Sequence, residues 1–211
     1  MKLYKLRSLE NDGLFFALDM IINARIYLST CEEMNDIGEG SFDLESPSDF
    51  AGNQSLIETA REIIDQQRFT CFVSRINNPL MWAHYACGFR GIAFEYELDA
   101  KRYDIRDISY NGKPTVSITS LNDICEKKIP PQDVNILRSK DSCWEYEDEY
   151  RLYNTDKYVN EKPCSIILGA RGSKFDSIIR DIASKYSIRL GYLHPSEDGY
   201  EASYKDDYEI S

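Results

Sequence analysis

The chain has 211 residues, 42% of them hydrophobic and 12% aromatic, enough apolar material for a folded domain and too much for a disordered polymer. Its formal net charge is −11, and this acidity opposes non-specific nucleic-acid binding, which draws its free energy from a basic face. No run of about 18 apolar residues is present to span a membrane. The opening Met1-Lys2-Leu3-Tyr4-Lys5-Leu6-Arg7 carries charge where a signal peptide needs its apolar stretch, so a cytoplasmic protein is expected.

Residues 3–8 alternate Leu3, Lys5 and Arg7 against Tyr4, Leu6 and Ser8, a period of two that predicts a strand. Asn11-Asp12-Gly13 breaks it; a short helix over 14–23 and a second strand over 25–29, with Ile26 and Leu28 on one face, follow. Residues 31–52 read as a long acidic loop carrying Gly38, Gly40, Pro47 and Gly52. A loop of that length suits a lid or binding loop as well as a plain surface excursion. An amphipathic helix is predicted over 55–67, with a Ser55/Glu58 capping-box pattern and Leu56, Ile57, Ala60, Ile63 and Ile64 on one face. Residues 69–74 form a strand by residue type. A short helix then starts with Asn78 as N-cap and Pro79 at N1, stops near Gly88, and leads into a strand over 91–96.

Further on, 103–110 reads as a strand ended by Asn111-Gly112, and 119–140 as a polar helical insertion interrupted by Pro130-Pro131. Strands are predicted over 149–153 and 165–168. A helix over 173–186 follows behind a Ser173/Asp176 cap pair, and strands over 188–193 and 200–210 close the chain. Without a regular βαβ rhythm, the reading is α+β: one domain over 1–211, mostly antiparallel sheet or sheets with helices packed alongside.

Three places carry candidate chemistry. The stretch Leu80-Met81-Trp82-Ala83-His84-Tyr85 puts a Trp, a His and a Tyr on one short helix, where His84 either points into a cleft or pins the helix to a strand. Trp144-Glu145-Tyr146-Glu147-Asp148-Glu149-Tyr150-Arg151, taken as a strand, puts Glu145, Glu147, Glu149 and Arg151 on one face. Carboxylates so aligned raise one another's pKa unless a cation intervenes, although an edge strand also carries such charges harmlessly. Arg7 on the first strand can hold a phosphate or carboxylate through two hydrogen bonds, or serve as structural partner of a Glu from the acidic stretch. Lys2, Lys5, Arg7 and Arg25 leave a local basic groove open, against the plainer reading of solvated cations. Gly169-Ala170-Arg171-Gly172-Ser173 is the nearest approach to a phosphate-binding turn. The six cysteines are scattered without C-x-x-C and read as small apolar residues or inert thiols; with only two histidines, no zinc site is expected.

The segments Leu3-Tyr4-Lys5-Leu6-Arg7-Ser8, Asn23-Ala24-Arg25-Ile26-Tyr27-Leu28-Ser29, Met34-Asn35-Asp36, Cys71-Phe72-Val73-Ser74, Leu80 to Ala86 with Gly91-Ile92-Ala93-Phe94, and Trp144 to Arg151 come in one order. In that order they resemble the bacterial family known as domain of unknown function 2971. The family tends to Asn-Asp-Pro-Phe-Asp after its second strand, where this chain has Asn35-Asp36-Ile37-Gly38 and a later Phe42-Asp43. The opening strand, helix and strand are also similar in layout to ADP-ribosyltransferase-like domains. That resemblance implies a split sheet and NAD or another nucleotide as ligand. It also implies catalytic Glu149, Glu147 and His84, with ligand contacts from Arg7, Tyr4, Ser74, Trp82, Tyr85 and Arg151. In such a site Arg7 would hold the pyrophosphate, Tyr85 or Trp82 would stack the nicotinamide, and Glu149 would stabilise the cationic sugar. The alternative is a non-catalytic module that senses a small molecule or binds a protein partner, with the same residues forming a polar core network and the 31–52 loop as contact surface.

Overall fold

Alternating apolar residues need a sheet with cover on both sides, and the computed structural model, which describes residues 1–197 and 199–204, provides one. The strands are β1 (Lys2–Arg7), β2 (Arg25–Tyr27), β3 (Asp43–Leu44), β4 (Arg68–Val73), β5 (Ile92–Glu97), β6 (Asp104–Asp107), β7 (Thr115–Val116), β8 (Glu149–Asn154), β9 (Tyr158–Asn160), β10 (Ser165–Leu168), β11 (Arg189–Ser196) and β12 (Gly199–Tyr204). The helices are α1 (Gly13–Ile22), α2 (Gln54–Asp65), α3 (Pro79–Tyr85), α4 (Ile118–Cys125) and α5 (Asp176–Lys185). Eight strands join in the order β12-β11-β10-β5-β1-β4-β8-β6; β2 pairs with β9, and β3 with β7. Within the large sheet only β10 and β11, connected through α5, run parallel. The fold is α+β with a mostly antiparallel sheet.

Strand alternation sorts the core. Leu3, Phe72, Phe94 and Leu152 face α1 and α5, where Ala17, Ile21, Ile179 and Ala183 pack against them. Leu6, Val73, Ala93 and Ile167 face the other way, toward Met81 and Trp82 of α3. A third cluster joins Phe69 and Tyr153 to Ile57, Ala60 and Ile64 of α2 and Leu121 and Ile124 of α4. Among the described residues, no helix is long and apolar enough to cross a membrane.

Several expectations are corrected. The acidic stretch is not one strand: Ser142–Glu147 is a 3-10 helix, capped by the Asp141 side chain on the Cys143 amide. Asp148 turns the chain with φ 47°, and β8 begins only at Glu149, so Glu145 does not share its face. Helix α2 starts behind Asn53, and no Ser55/Glu58 box forms; a capping box closes instead between Thr30 and Glu33. The 31–52 segment is tied down by 3-10 helices Cys31–Glu33 and Pro47–Phe50, by the β3–β7 pairing and by buried Phe42. The strand β9 gave no alternation long enough to register in the sequence. Of the last expected strand, residues 205–210 lie outside the described residues.

Candidate functional site

The site follows from how β1 is paired. It runs against β5 along its whole length, from Lys2 opposite Glu97 to Arg7 opposite Ile92, but meets β4 only where Tyr4 faces Val73. Beyond that pair the strands part, and the backbone groups freed on β4 find other partners, as buried polar groups must. Ser29 exchanges hydrogen bonds with Phe69, at 2.8 and 3.0 Å, and Lys5 Nζ reaches across to Thr70 Oγ1 at 2.7 Å and the Cys71 carbonyl at 3.0 Å. A cavity of about 240 Å³ occupies the gap. Consecutive residues 4–7 of β1 and 69–73 of β4 line it. Successive residues of a strand point to opposite faces, so a lining of consecutive residues from both strands fits a cleft at their parted edges, not a pocket on one face of the sheet.

One wall is cationic. Among the described residues, no carboxylate forms an ion pair with Lys5 or Arg7, and Arg7 Nε is buried without a hydrogen-bond partner. Burial, and then the Arg7 guanidinium, push the Lys5 ammonium down to about 7; burial also lowers Arg7.

The lining also carries Glu147, Glu149, Lys140 and Tyr85. Lys140 Nζ donates to Glu147 Oε2 at 2.7 Å and Glu149 Oε2 at 2.5 Å. The other oxygen of Glu149 accepts from Arg151 Nε at 2.6 Å, and the guanidinium continues to both oxygens of Glu39, at 2.5 and 2.7 Å, and to the Leu137 carbonyl. It also lies 4.5 Å over the Phe69 ring. Glu147 Oε1 accepts from the Tyr85 hydroxyl at 2.5 Å, and that hydroxyl accepts from Asn35 Nδ2 at 3.1 Å. Burial opposes ionisation of Glu149, but Arg151 and Lys140 outweigh it and hold the carboxyl at about 2. At Glu147 burial prevails over Lys140 and Tyr85, and the carboxyl is raised. The two acids of one motif are thereby set apart, Glu149 as a fixed anion and Glu147 as the group that takes up a proton more readily.

Arg7, Tyr4, Tyr85, Glu147 and Glu149 therefore line one cavity, brought there by three separate stretches of chain. The other sequence candidates lie elsewhere. Arg151 is fully buried behind the wall, held by Glu39 and Glu149. Ser74 donates to Asp148 and lines a separate shallow groove with Lys2 and Tyr200. Trp82 has no exposed surface; its indole N–H donates to the Ile76 carbonyl at 2.7 Å and its ring stacks on Phe89, so it is closed to any ligand. Met81 and Tyr85 turn to the cavity and Trp82 to the core, which leaves His84 exposed beside Tyr146, outside the lining. Lys140 and Arg151, not Arg7, neutralise the acidic stretch. In the turn after β10, the Arg171 amide donates to Phe89 and the Ser173 amide to Asp176, so those donors are taken.

Lys140 and Glu39 had no sequence signal, since each sits in irregular chain; Asn35 had one only through the Met34-Asn35-Asp36 segment of the resemblance. Lys5 had one: it shares the period-two face of Leu3 and Arg7, which a purely solvated lysine has no need to do. Comparison of the chain with family models, with curated proteins and with solved structures gives no match.

Proposed function

We propose that the cleft where β1 leaves β4 binds a small organic anion of the nucleotide class, with ADP-ribose and NAD as reference ligands. The observation that carries this reading is the Arg7 guanidinium, its Nε buried and unpartnered among the described residues, beside a Lys5 that forms no ion pair with a carboxylate among them, both lining a cavity. A buried donor without an acceptor is costly, and an incoming phosphate or carboxylate supplies the acceptor. The cavity, at about 240 Å³, is smaller than the roughly 300–1,000 Å³ of most ligand pockets. It encloses one anionic moiety and leaves the rest of a dinucleotide outside.

Titration calorimetry of the whole chain with ADP-ribose, NAD and inorganic phosphate tests this. Arg7→Gln is expected to weaken binding at least tenfold, about 1.4 kcal/mol, as for loss of a charge-assisted bond. Absence of heat with all three ligands at millimolar concentration overturns the reading.

The ADP-ribosyltransferase-like reading draws support from Arg7, Glu147 and Glu149 sharing one cavity. Both carboxylates accept two side-chain hydrogen bonds each, and in that reading stabilisation of a cationic sugar falls to Glu149, which Arg151 and Lys140 keep ionised. Release of nicotinamide from NAD separates this enzyme from a sensing module. The sensing reading draws its support from the bonded series running from Glu39 in the 31–52 segment through Arg151, Glu149, Lys140 and Glu147 to Tyr85. The order of the motifs supports placing the chain with the domain of unknown function 2971 family.

A further inference from the structure

Lys5 differs from a lysine that merely holds a phosphate. Its nitrogen donates two hydrogen bonds, to Thr70 Oγ1 and the Cys71 carbonyl, and lies beside the cavity. A neutral amine has two N–H donors and one lone pair, so these bonds leave the lone pair for the remaining direction. The titratable groups acting on it are Arg7 on its own strand, Cys71 on β4 and Glu149 on β8. Glu149 is already held by Lys140 and Arg151, and burial raises the Cys71 thiol, which keeps it neutral. A desolvated amine next to a second cation is the setting in which lysine becomes a nucleophile toward carbonyl groups.

We propose that Lys5 forms a Schiff base with a small oxo acid whose carboxylate is held by Arg7. The inference rests on the anion reading of the cleft and adds a covalent step to it. The lone pair of Nζ attacks the carbonyl carbon, a C–N bond forms, and the carbonyl oxygen takes up a proton. The carbinolamine then loses that oxygen as water while nitrogen gives up its remaining proton, leaving C=N. One water departs for each imine formed, and no oxidant or reductant is needed. Glu147, the acid with the raised pKa, lines the same cavity and gives a proton to the departing hydroxyl. A cavity of about 240 Å³ accommodates an acid of a few carbons.

The test incubates the whole wild-type chain with pyruvate and sodium cyanoborohydride and locates the reduced adduct by peptide fragmentation. Lys5 is expected to be labelled at least about tenfold more than exposed Lys2, because an amine of lowered pKa is neutral far more often. Labelling should rise with pH through about 7, where Lys5 loses its proton. No adduct, or one spread over the exposed lysines and the Met1 amine, overturns the proposal. Calorimetry with lactate, which has the carboxylate but no carbonyl, runs alongside. Binding of lactate, phosphate or ADP-ribose without pyruvate labelling removes the Schiff base and leaves the anion site; no labelling by pyruvate and no heat with lactate, phosphate, ADP-ribose or NAD removes both. Lys5→Arg keeps the charge and should abolish the adduct on that segment; an adduct that persists there also refutes the proposal.

Discussion

Arg151 lies at the centre of the polar interior, and its energetics follow from its having no exposed surface. Its neighbours Glu39 and Glu149 are as deeply buried, with side-chain exposures of 1% and 3%. Removing the guanidinium would leave two carboxylates in a low-dielectric interior with too few cations. Arg151→Met is therefore expected to lower stability by about 3–5 kcal/mol in urea unfolding, the range for breaking a buried pair. Lys5 makes a different statement. Its folded pKa of about 7 is far below the ordinary value of 10.5, so between those values the unfolded chain holds a proton that the folded chain has released. The stability attributable to Lys5 thus rises with pH from about 7 to 10.5 and is lowest below 7. Urea midpoints taken across that window should climb in wild type relative to Lys5→Met, and parallel profiles would contradict the assignment.

At the scale of elements, the sharpest constraint lies where α3 returns the chain to β5. A Cβ on Gly91 would stand 2.2 Å from the Arg7 carbonyl oxygen and 2.8 Å from Ala86 Cα, and backbone atoms cannot swing away. Gly91→Ala is expected to cost about 1–3 kcal/mol, read as a shift in the urea midpoint, and to displace the end of β1 that carries Arg7. Elements with a clear period were legible in the sequence: β1, α2 and α5 stand within a few residues of where periodicity put them, and β4, read from residue type, within one. The N-cap at Asn78 was legible too, since Asn-Pro ahead of an apolar run has one good use; Asn78 accepts from the Leu80 amide at 2.9 Å. Half of the site was not legible, for a physical reason. Glu147 and Glu149 look like two positions of one strand, but the left-handed turn at Asp148 separates them, and a lysine from irregular chain brings their carboxylates back together. Side-chain pairing across the fold leaves no period in the chain that makes it.

For the molecule as a whole, the single residue pair between β1 and β4 has a consequence beyond the cleft it opens. A sheet of eight strands ordinarily behaves as one sheet because each neighbour is laced to the next. Here the lacing is interrupted at mid-sheet, with β5, β10, β11 and β12 on one side and β8 and β6 on the other. An occupant gripped by Arg7 of β1 from one bank and by Glu147, just ahead of β8, from the other would weld this seam. Deuterium uptake should then slow in both halves at once when the cleft is filled, far from any atom the occupant touches.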